Sequence, residues 1–180
     1  QGDFFFLCRR SPDRLVQTVV ELCRERLPRN MGIPTEQIQV LSPTRKGACG
    51  TAALNRALQA ALNPPAAGRR QKQWGDVTFR MGDRVMQTRN NYDVIWEKDD
   101  GTAGSGIFNG DVGVIQDIDP SGELIVIRFD DRTATYTADM LAQLDYWQSL
   151  AETAVRHNWS RPVLHTGQSI TIREGRHPVV

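Results

Sequence analysis

One internal segment, residues 82–115, constrains the fold of this 180-residue chain more than any other. Two Gly-Asp pairs, Gly82-Asp83 and Gly110-Asp111, border a polar stretch, and Asn109 precedes the second pair. Asn-Gly dipeptides favour tight turns because both residues tolerate positive φ. Apolar residues alternate on either side of the polar stretch, at Val85, Ile107, Val112, Val114 and Ile115. The pattern predicts short strands that turn sharply and form a small β-barrel.

The polar stretch combines side chains that suit nucleic acid. It holds Arg89, Asn90, Asn91 and Tyr92, and Trp96 lies shortly after it. Aromatic rings stack on bases, at about 1–3 kcal/mol each, while Arg contacts phosphates and Asn bonds to sugars or base edges. We therefore predict that these five residues bind DNA. The alternative is a loop whose two aromatic rings cover the open end of the barrel, since the neighbouring carboxylates would repel phosphate.

The first 63 residues predict two strand–helix units. Strands are expected at 3–8 and 37–41, and helices from Ser11 to about Pro28 and at 51–62. This order favours parallel pairing in an α/β sheet. A basic connector follows at 64–73. Beyond it, the barrel strands are expected near 77–80, 84–88, 113–117, 124–129 and 133–137, followed by a helix at 139–157 and a strand at 169–173.

Two features of this first part are candidates for binding. The loop that holds Arg45 and Lys46 lies between a predicted strand and a helix N-terminus, where α/β sheets place ligands and free N–H groups attract anions. The alternative is a polar loop that caps the helix. Asn55 and Gln59 recur on the following helix at a spacing of four, and Asn63 continues the series. They predict a face that contacts a nucleic-acid backbone, although such stripes are also typical of solvated faces.

Charge and cysteine content narrow the function classes. Residues 1–75 hold 12 Lys and Arg against 5 Asp and Glu, whereas residues 76–180 hold 10 against 16. The first part therefore suits a phosphate partner, unless its arginines simply cover helix faces. Three widely spaced cysteines, Cys8, Cys23 and Cys49, indicate reduced thiols in a cytoplasmic protein, with no disulfide frame and no metal site. No apolar run approaches a membrane span, so no membrane partner is expected.

Several blocks, in order, resemble RecD-type DNA helicases, the group that includes the exodeoxyribonuclease V alpha subunit. The run QVLSPTRKGACGT at 39–51, with Leu54-Asn55 and Leu58-Gln59 after it, resembles their second motor domain. Residues 82–115 resemble the small SH3-like barrel inserted in that domain. The resemblance spans about 3–144. It implies an α/β fold: a partial RecA-like domain with a parallel sheet at 1–75, plus an SH3-like β-barrel at 76–140.

The resemblance also implies a function. The family unwinds DNA in the 5′-to-3′ direction with ATP and Mg²⁺, in DNA repair and recombination. Phosphate contacts would fall to Arg45, Lys46 and Gly47, and the barrel would touch single-stranded DNA. No G-x-x-x-x-G-K-[S/T] motif occurs in the sequence, so we expect no catalytic residue, no cofactor and no ATP hydrolysis in this chain alone. Expected partners are single-stranded DNA, a missing N-terminal motor domain and other DNA-repair subunits.

The last forty residues resemble a different family. The run LDYWQSLAE at 144–152, Arg161-Pro162 and EGRHPVV at 174–180 resemble the junction between the lever helices and the ATPase domain of MutS-type mismatch-repair proteins. This predicts a helix and strand segment at 141–180, and a chain that fuses two fragments. Two other functions stay open: a mismatch-repair fragment, and an SH3-like module that grips a basic or Pro-rich peptide near Tyr92, Trp96, Glu97 and Asp99.

Overall fold

The computed structural model of the protein describes residues 5–146. Most of its helices lie in the first 62 residues. They are α1 (Pro12–Glu21), a π-helical turn (Leu22–Arg26), α2 (Leu27–Met31), a 3-10 turn (Thr35–Gln37) and α3 (Thr51–Leu62). Within the described part of the chain, no helix is long and apolar enough to cross a membrane. The cytoplasmic location stays a prediction.

Nine strands come after the helices. They are β1 (Gln71–Trp74), β2 (Val77–Arg80), β3 (Arg84–Gln87), β4 (Asn91–Lys98), β5 (Ala103–Ile107), β6 (Val112–Ile118), β7 (Leu124–Phe129), β8 (Arg132–Thr137) and β9 (Leu144–Tyr146), with a 3-10 helix (Ala138–Gln143) before β9. The first two form a hairpin. The other seven form one sheet in the order β5-β4-β8-β7-β6-β3-β9. Its two end strands are not paired with each other among the described residues, so we call this sheet the half-barrel.

Alternating apolar residues fill the concave side of the half-barrel. On β7, Ile125, Ile127 and Phe129 are at most 1% exposed, and the residues between them face outward or lie half-buried. They pair with β8 in antiparallel register, so that Ile127 lies opposite Ala134 and Ile125 opposite Tyr136. Side chains alternate between the two faces of a strand, so this pattern turns one face of each strand into core.

The helical segment, residues 12–62, has a smaller core. Cys23, Ile38 and Leu58 are buried together, with partly buried apolar residues around them. The helix predicted to end near Pro28 continues to Met31. Proline lacks an N–H and its ring crowds the carbonyl four residues earlier. The wider π-helical turn directly before α2 accommodates this, as such turns do at irregular points in helices.

A buried carboxylate joins α3 to the half-barrel. Asp83, 1% exposed, accepts hydrogen bonds from Gln59 Nε2 (2.7 Å), Asn63 Nδ2 (2.7 Å) and the backbone N–H of Arg80 (2.7 Å). Burial raises the pKa of this carboxyl above its usual value, and the three hydrogen bonds oppose the rise. We call this set the Asp83 junction. It orients α3 on the sheet through directional bonds.

The predicted α/β architecture with a parallel sheet is wrong. The expected strand at 3–8 is not formed at 5–8, where Phe5 and Phe6 are 72% and 81% exposed. The expected strand at 37–41 also forms no ladder, because Ile38 packs against Cys23 and Leu58 instead. A sheet requires neighbouring strands to satisfy backbone groups, and within residues 5–146 every strand pair is antiparallel. No partial RecA-like fold is formed there, and the described chain is mostly β.

Other predicted elements have mixed outcomes. The helix at 51–62 and five barrel strands are confirmed. Pro120-Ser121-Gly122 lies in the hairpin turn between β6 and β7. Strands β1, β4 and β5 were not predicted. The expected helix at 139–157 begins as a 3-10 helix over 139–143 and is wrong over 144–146, where β9 pairs with β3. Its remainder, and the strand at 169–173, lie outside the described residues. The division at 1–75, 76–140 and 141–180 stays a prediction.

Candidate nucleic-acid interface

Two turns meet at one end of the half-barrel. Residues 88–90 join β3 to β4, and residues 108–111 join β5 to β6. The N–H of Gln87 donates to the carbonyl of Asp111 (2.9 Å), and the N–H of Gly110 donates to the carbonyl of Gln87 (2.8 Å). These two bonds fix one turn against the other. We call the exposed side chains gathered here the aromatic tip: Arg89, Asn90, Tyr92, Phe108 and Asn109.

The aromatic tip carries two exposed rings in contact. Tyr92 is 64% exposed and Phe108 is 43% exposed. Their ring centroids are 5.8 Å apart and their planes meet at 75°, an edge-to-face arrangement that aromatic pairs prefer. Such a contact stabilises the position of each ring while leaving much of its surface open to solvent. The pair is therefore a ready surface for a planar ligand group.

The side chain of Asn90 holds the tip together. Its Nδ2 donates to the Tyr92 hydroxyl (3.2 Å), and its Oδ1 accepts the backbone N–H of Asn109 (2.9 Å). One amide thus bridges both turns and orients Tyr92. Groups already held in their bound geometry lose less conformational freedom when a ligand arrives, so this bridge favours binding.

The tip also connects to the core. Tyr136 is fully buried, and its hydroxyl donates to Gln87 Oε1 (2.9 Å). Gln87 is itself buried, and its Nε2 donates to the carbonyl of Arg89 (2.8 Å). Burial, with the nearby charge of Asp111, raises the pKa of Tyr136, so its hydroxyl remains a donor at neutral pH. The backbone that carries Arg89 is therefore anchored to the core through Gln87 and Tyr136.

The Asn109-Gly110-Asp111 turn shows the architectural role predicted for it. Gly110 has φ +97°, a conformation that glycine adopts without strain. Asp111 Oδ2 accepts the backbone N–H of Phe108 (3.0 Å) and lies 3.5 Å from a guanidinium nitrogen of Arg132. Phe108, which precedes this turn, contributes an exposed ring to the tip.

Trp96 and Asn91 are placed differently from the rest of the predicted set. The Trp96 ring has the cations Arg132 and Lys98 near its face, with centroid distances of 5.6 and 5.9 Å. It also lies across Gly104, where a Cβ would come within 2.4 Å of the ring. Asn91 is 7% exposed, and its Oδ1 accepts the N–H of Asp93 (3.0 Å). Both residues thus have structural contacts, and their DNA contact stays a prediction.

The loop before α3 leaves its cations in solvent. Arg45, Lys46 and Gly47 are all exposed. The N–H groups of Thr51 and Ala52, at the start of α3, donate to the carbonyls of Thr44 (3.0 Å) and Arg45 (3.5 Å). These two donors are already used within the protein, so an incoming anion would depend mainly on the side chains of Arg45 and Lys46. The phosphate contact at this loop stays a prediction.

The polar stripe of α3 faces the protein interior. Asn55 and Gln59 are each 7% exposed. Gln59 Nε2 donates to the carbonyl of Thr78 (2.7 Å) as well as to Asp83. These contacts assign Gln59 to the Asp83 junction. A DNA contact by Asn55 or Gln59 stays a prediction.

Sequence reasoning missed Phe108 and Asn109 as partners of Asn90 and Tyr92. The contact depends on the pairing of β4 with β5, in which Asn91 lies opposite Ile107. A signal for that hairpin is present in Asp100-Gly101, since Asp-Gly is a strong hairpin turn and Gly101 has φ +82°. Read as a hairpin, residues 91–107 place the turn at 108–111 beside the turn at 88–90.

Comparison with known proteins identifies two sets of relatives. Residues 54–129, which include the aromatic tip, match the family model of the ATP-dependent RecD-like DNA helicase SH3 domain. The ATP-dependent RecD2 DNA helicase of Deinococcus radiodurans is 34% identical over 113 residues, which are 63% of this chain and 14% of the helicase. The resemblance to RecD-like helicases is confirmed, and the chain is helicase-related.

The second set consists of DNA mismatch repair proteins MutS. The protein of Oleidesulfovibrio alaskensis is 69% identical over 45 residues, which are 25% of this chain and 5% of that MutS. The protein of Salinibacter ruber is 51% identical over 43 residues, 24% of this chain and 5% of that MutS. The resemblance to MutS is thus confirmed over a short segment. The chain spans only a small fraction of the length of these relatives.

Proposed function

We propose that this chain supplies a single-stranded DNA-binding surface to an ATP-dependent RecD-like DNA helicase that acts in DNA repair or recombination. The observation that carries the proposal is the aromatic tip, where two exposed rings in edge-to-face contact stand beside the exposed Arg89. The match of residues 54–129 to the SH3 domain of RecD-like helicases supports the context.

The chemistry of the tip suits an unpaired strand. Bases in a duplex are stacked on each other, whereas those of a single strand can stack on Tyr92 or Phe108. Arg89 lies three residues before Tyr92 in sequence and would neutralise a backbone phosphate. The amides of Asn90 and Asn109 would bond to sugars or base edges. Because stacking does not distinguish bases, we expect affinity with little sequence preference.

In the complete helicase, ATP and Mg²⁺ would drive 5′-to-3′ movement, and a first motor domain would bind them. The tip would hold the strand between movements. Partners of this chain would then be single-stranded DNA, that motor domain and other DNA-repair subunits. We assign no catalytic residue to residues 1–180, whose sequence contains no G-x-x-x-x-G-K-[S/T] motif.

The proposal is tested by fluorescence anisotropy of a labelled oligothymidine against the full chain. We expect measurable binding at low salt that weakens as salt rises, because phosphate contacts release counterions. Tyr92→Ala and Phe108→Ala should each weaken binding about 5- to 10-fold, the lower part of the range for one stacked base. Arg89→Ala should weaken binding and reduce the salt dependence.

Two matched variants control for loss of exposed surface elsewhere. Trp74→Ala removes a ring that is 36% exposed on β1, and Arg56→Ala removes an exposed cation of α3. Neither should change oligothymidine affinity by more than about 2-fold. Absence of binding at low salt, or equal losses in Trp74→Ala and Tyr92→Ala, would exclude the aromatic tip as the DNA-binding surface.

A mismatch-repair role is the second candidate, favoured by the 69% identity to MutS over 45 residues. It predicts that the full chain binds a duplex with one mismatched pair more tightly than the fully paired duplex. Equal anisotropy curves for the two duplexes, with tighter binding of oligothymidine, would reject this candidate and leave the first.

A further inference from the structure

Strands β4 and β8 form an open groove on the outer face of the half-barrel, and its lining includes none of the aromatic tip residues. Its volume is about 730 Å³, and its lining includes Asp93, Ile95, Glu97, Thr133, Thr135 and Met140. The strands run antiparallel here, with Glu97 opposite Thr133. Two rows of side chains thus line the groove, one from each strand, and Met140 lies beside them.

The centre of the groove is apolar and open. Ile95 is 70% exposed, among the most exposed large apolar side chains of the described chain. Asp93 and Glu97 lie two residues before and after it, and both are exposed. At about 3.3 Å per residue, the two carboxylates stand roughly 13 Å apart along the strand. This surface therefore presents an exposed isoleucine between two acidic residues.

The ion pairs around the groove leave two of its acidic charges unpaired within residues 5–146. Arg128 is paired with Asp99, and Lys98 with Asp131 (2.7 Å). Arg132, near the Trp96 ring, lies 3.5 Å from Asp111. These three cations near the groove are thus already engaged with carboxylates. Among the described residues, the carboxylates of Asp93 and Glu97 have no ion-pair partner. A ligand in the groove would meet two uncompensated negative charges on either side of an apolar contact.

We propose that this groove binds an extended, basic segment of a partner protein, in which an apolar residue lies between two Lys or Arg residues. The apolar residue would cover Ile95 and the cations would pair with Asp93 and Glu97. A polynucleotide is disfavoured as the occupant, because the same carboxylates repel phosphate. The half-barrel would then bind DNA at its tip and a protein on its outer face.

The probe for this site is a labelled peptide, GSRTLTRSG, measured by anisotropy against the full chain at low salt. We expect it to bind at least about 10-fold more tightly than the charge-reversed peptide GSETLTESG, and more tightly than GSRTSTRSG, which lacks the apolar residue. The double variant Asp93→Asn/Glu97→Gln and the single variant Ile95→Ser should each weaken binding about 5-fold or more. These side chains are exposed, so the variants should fold, and urea unfolding checks that they do.

Matched controls are Asp76→Asn and Val77→Ser, which alter an exposed acid and an exposed apolar residue at the β1–β2 hairpin. Both should bind the peptide as the unaltered chain does. Equal binding of the two charged peptides, or an unchanged affinity in the double variant, would overturn the proposal. So would weaker binding of oligothymidine in Ile95→Ser, or a concentration-dependent dimer lost in the same variant, since these assign the groove to DNA or to a second copy. Tyr92→Ala, Phe108→Ala and Arg89→Ala test the proposed DNA-binding surface separately.

Discussion

The half-barrel and the helical segment are held by different kinds of contact. The half-barrel has one core cluster of 13 buried apolar residues, contributed by most of its strands and by Phe79 of β2. In the helical segment only four apolar residues are buried among the described residues, Cys23, Ile38, Leu54 and Leu58, and α1 has none. Hydrophobic stabilisation grows with the apolar area removed from water. The half-barrel therefore has its own source of stability, whereas the helical segment relies on the Asp83 junction.

This difference matters for function because the aromatic tip belongs to the better-buried part. Its two turns are tied to each other, and Gln87 connects them to the core residue Tyr136. A binding surface on a rigid support keeps its geometry when neighbouring parts loosen. We therefore expect changes in the helical segment to leave DNA binding almost unaltered.

The largest effect should come from Ile127→Ala. Ile127 is fully buried in β7, and removing most of its side chain leaves a cavity in the half-barrel core. We expect a loss of about 3–4 kcal/mol in the free energy of unfolding, measured with urea. The matched control is Ile95→Ala, because Ile95 is 70% exposed and its truncation should cost no more than about 0.5 kcal/mol. Similar losses in both variants would contradict the proposed division between core and surface.

Asp83→Ala should rank second, at about 2–3 kcal/mol. The substitution leaves the donors of Gln59, Asn63 and Arg80 without their acceptor in a buried place. Hydrogen exchange should show faster exchange of the α3 amides, while those of β7 and β8 stay protected. Asp76→Ala, at an exposed acid, is the control. Equally accelerated hydrogen exchange of the α3 and β7 amides would mean that the two regions unfold as one unit.

Val19→Ala should cost about 1 kcal/mol, because Val19 is only partly buried against the helical core. The effect should be confined to amides of α1 and the turn after it. Gln17→Ala, at an exposed position of the same helix, should change little. A loss of stability as large as that of Ile127→Ala would place the helical segment within the main core.

The smallest expected effects are on the pH dependence of the free energy of unfolding. Asp119 of the half-barrel and Asp83 of the junction should contribute with opposite signs. The pKa of Asp119 is lowered from 3.8 to about 2 by hydrogen bonds from the N–H of Leu124 and the hydroxyl of Ser121 in the β6–β7 turn. The stability that ionised Asp119 gives the folded state is therefore present above pH 3.8 and is lost as pH falls towards 2. The pKa of Asp83 is raised, so proton binding favours the folded state at low pH, and this gain is lost as pH rises through the folded pKa.

Urea unfolding between about pH 2 and 6 would separate the two carboxylates. Asp119→Asn should reduce the loss of stability on acidification. Asp83→Asn should be less stable throughout, and its curve should lack the fall that Asp83 causes as pH rises above 3.8. If both variants changed the slope in the same direction, the junction carboxylate would not be shifted upward by burial.

The sequence predicted those elements whose pattern is contained within one short stretch of the chain. Strand β7 is a short run of mostly apolar residues and β8 alternates Thr with apolar or aromatic residues, so both were predicted almost to the residue. Strand β4 contains Asn, Asp and Glu, which are rare in strands, and it forms because β5 and β8 pair with it on both sides. The expected strands near Phe5 and Ile38 had suitable composition, but no neighbouring strand in the described chain pairs with them.

The candidate site was likewise predictable only for residues that lie close together in sequence. Arg89, Asn90 and Tyr92 lie close together in sequence, and their types alone indicated a binding surface. Phe108 is sixteen residues from Tyr92, and their contact can be inferred only once the register of β4 and β5 is known. Likewise, the spacing of Asn55, Gln59 and Asn63 defined one helix face but not the surface it would meet, which proved to be the half-barrel through Asp83.

The π-helical turn at Leu22–Arg26 sets the rotational phase of α2 relative to α1. Each residue advances an α-helix by about 100°, so removing one residue from the wide turn would swing α2 around its axis. Leu27 would leave its neighbour Cys23, and Pro28 would take its place. Deletion of Arg24 should therefore loosen the amides of the first 40 residues while sparing those of the sheet, a shift visible by hydrogen exchange. The irregular turn thus allows α1 and α2 to pack against the same small apolar core.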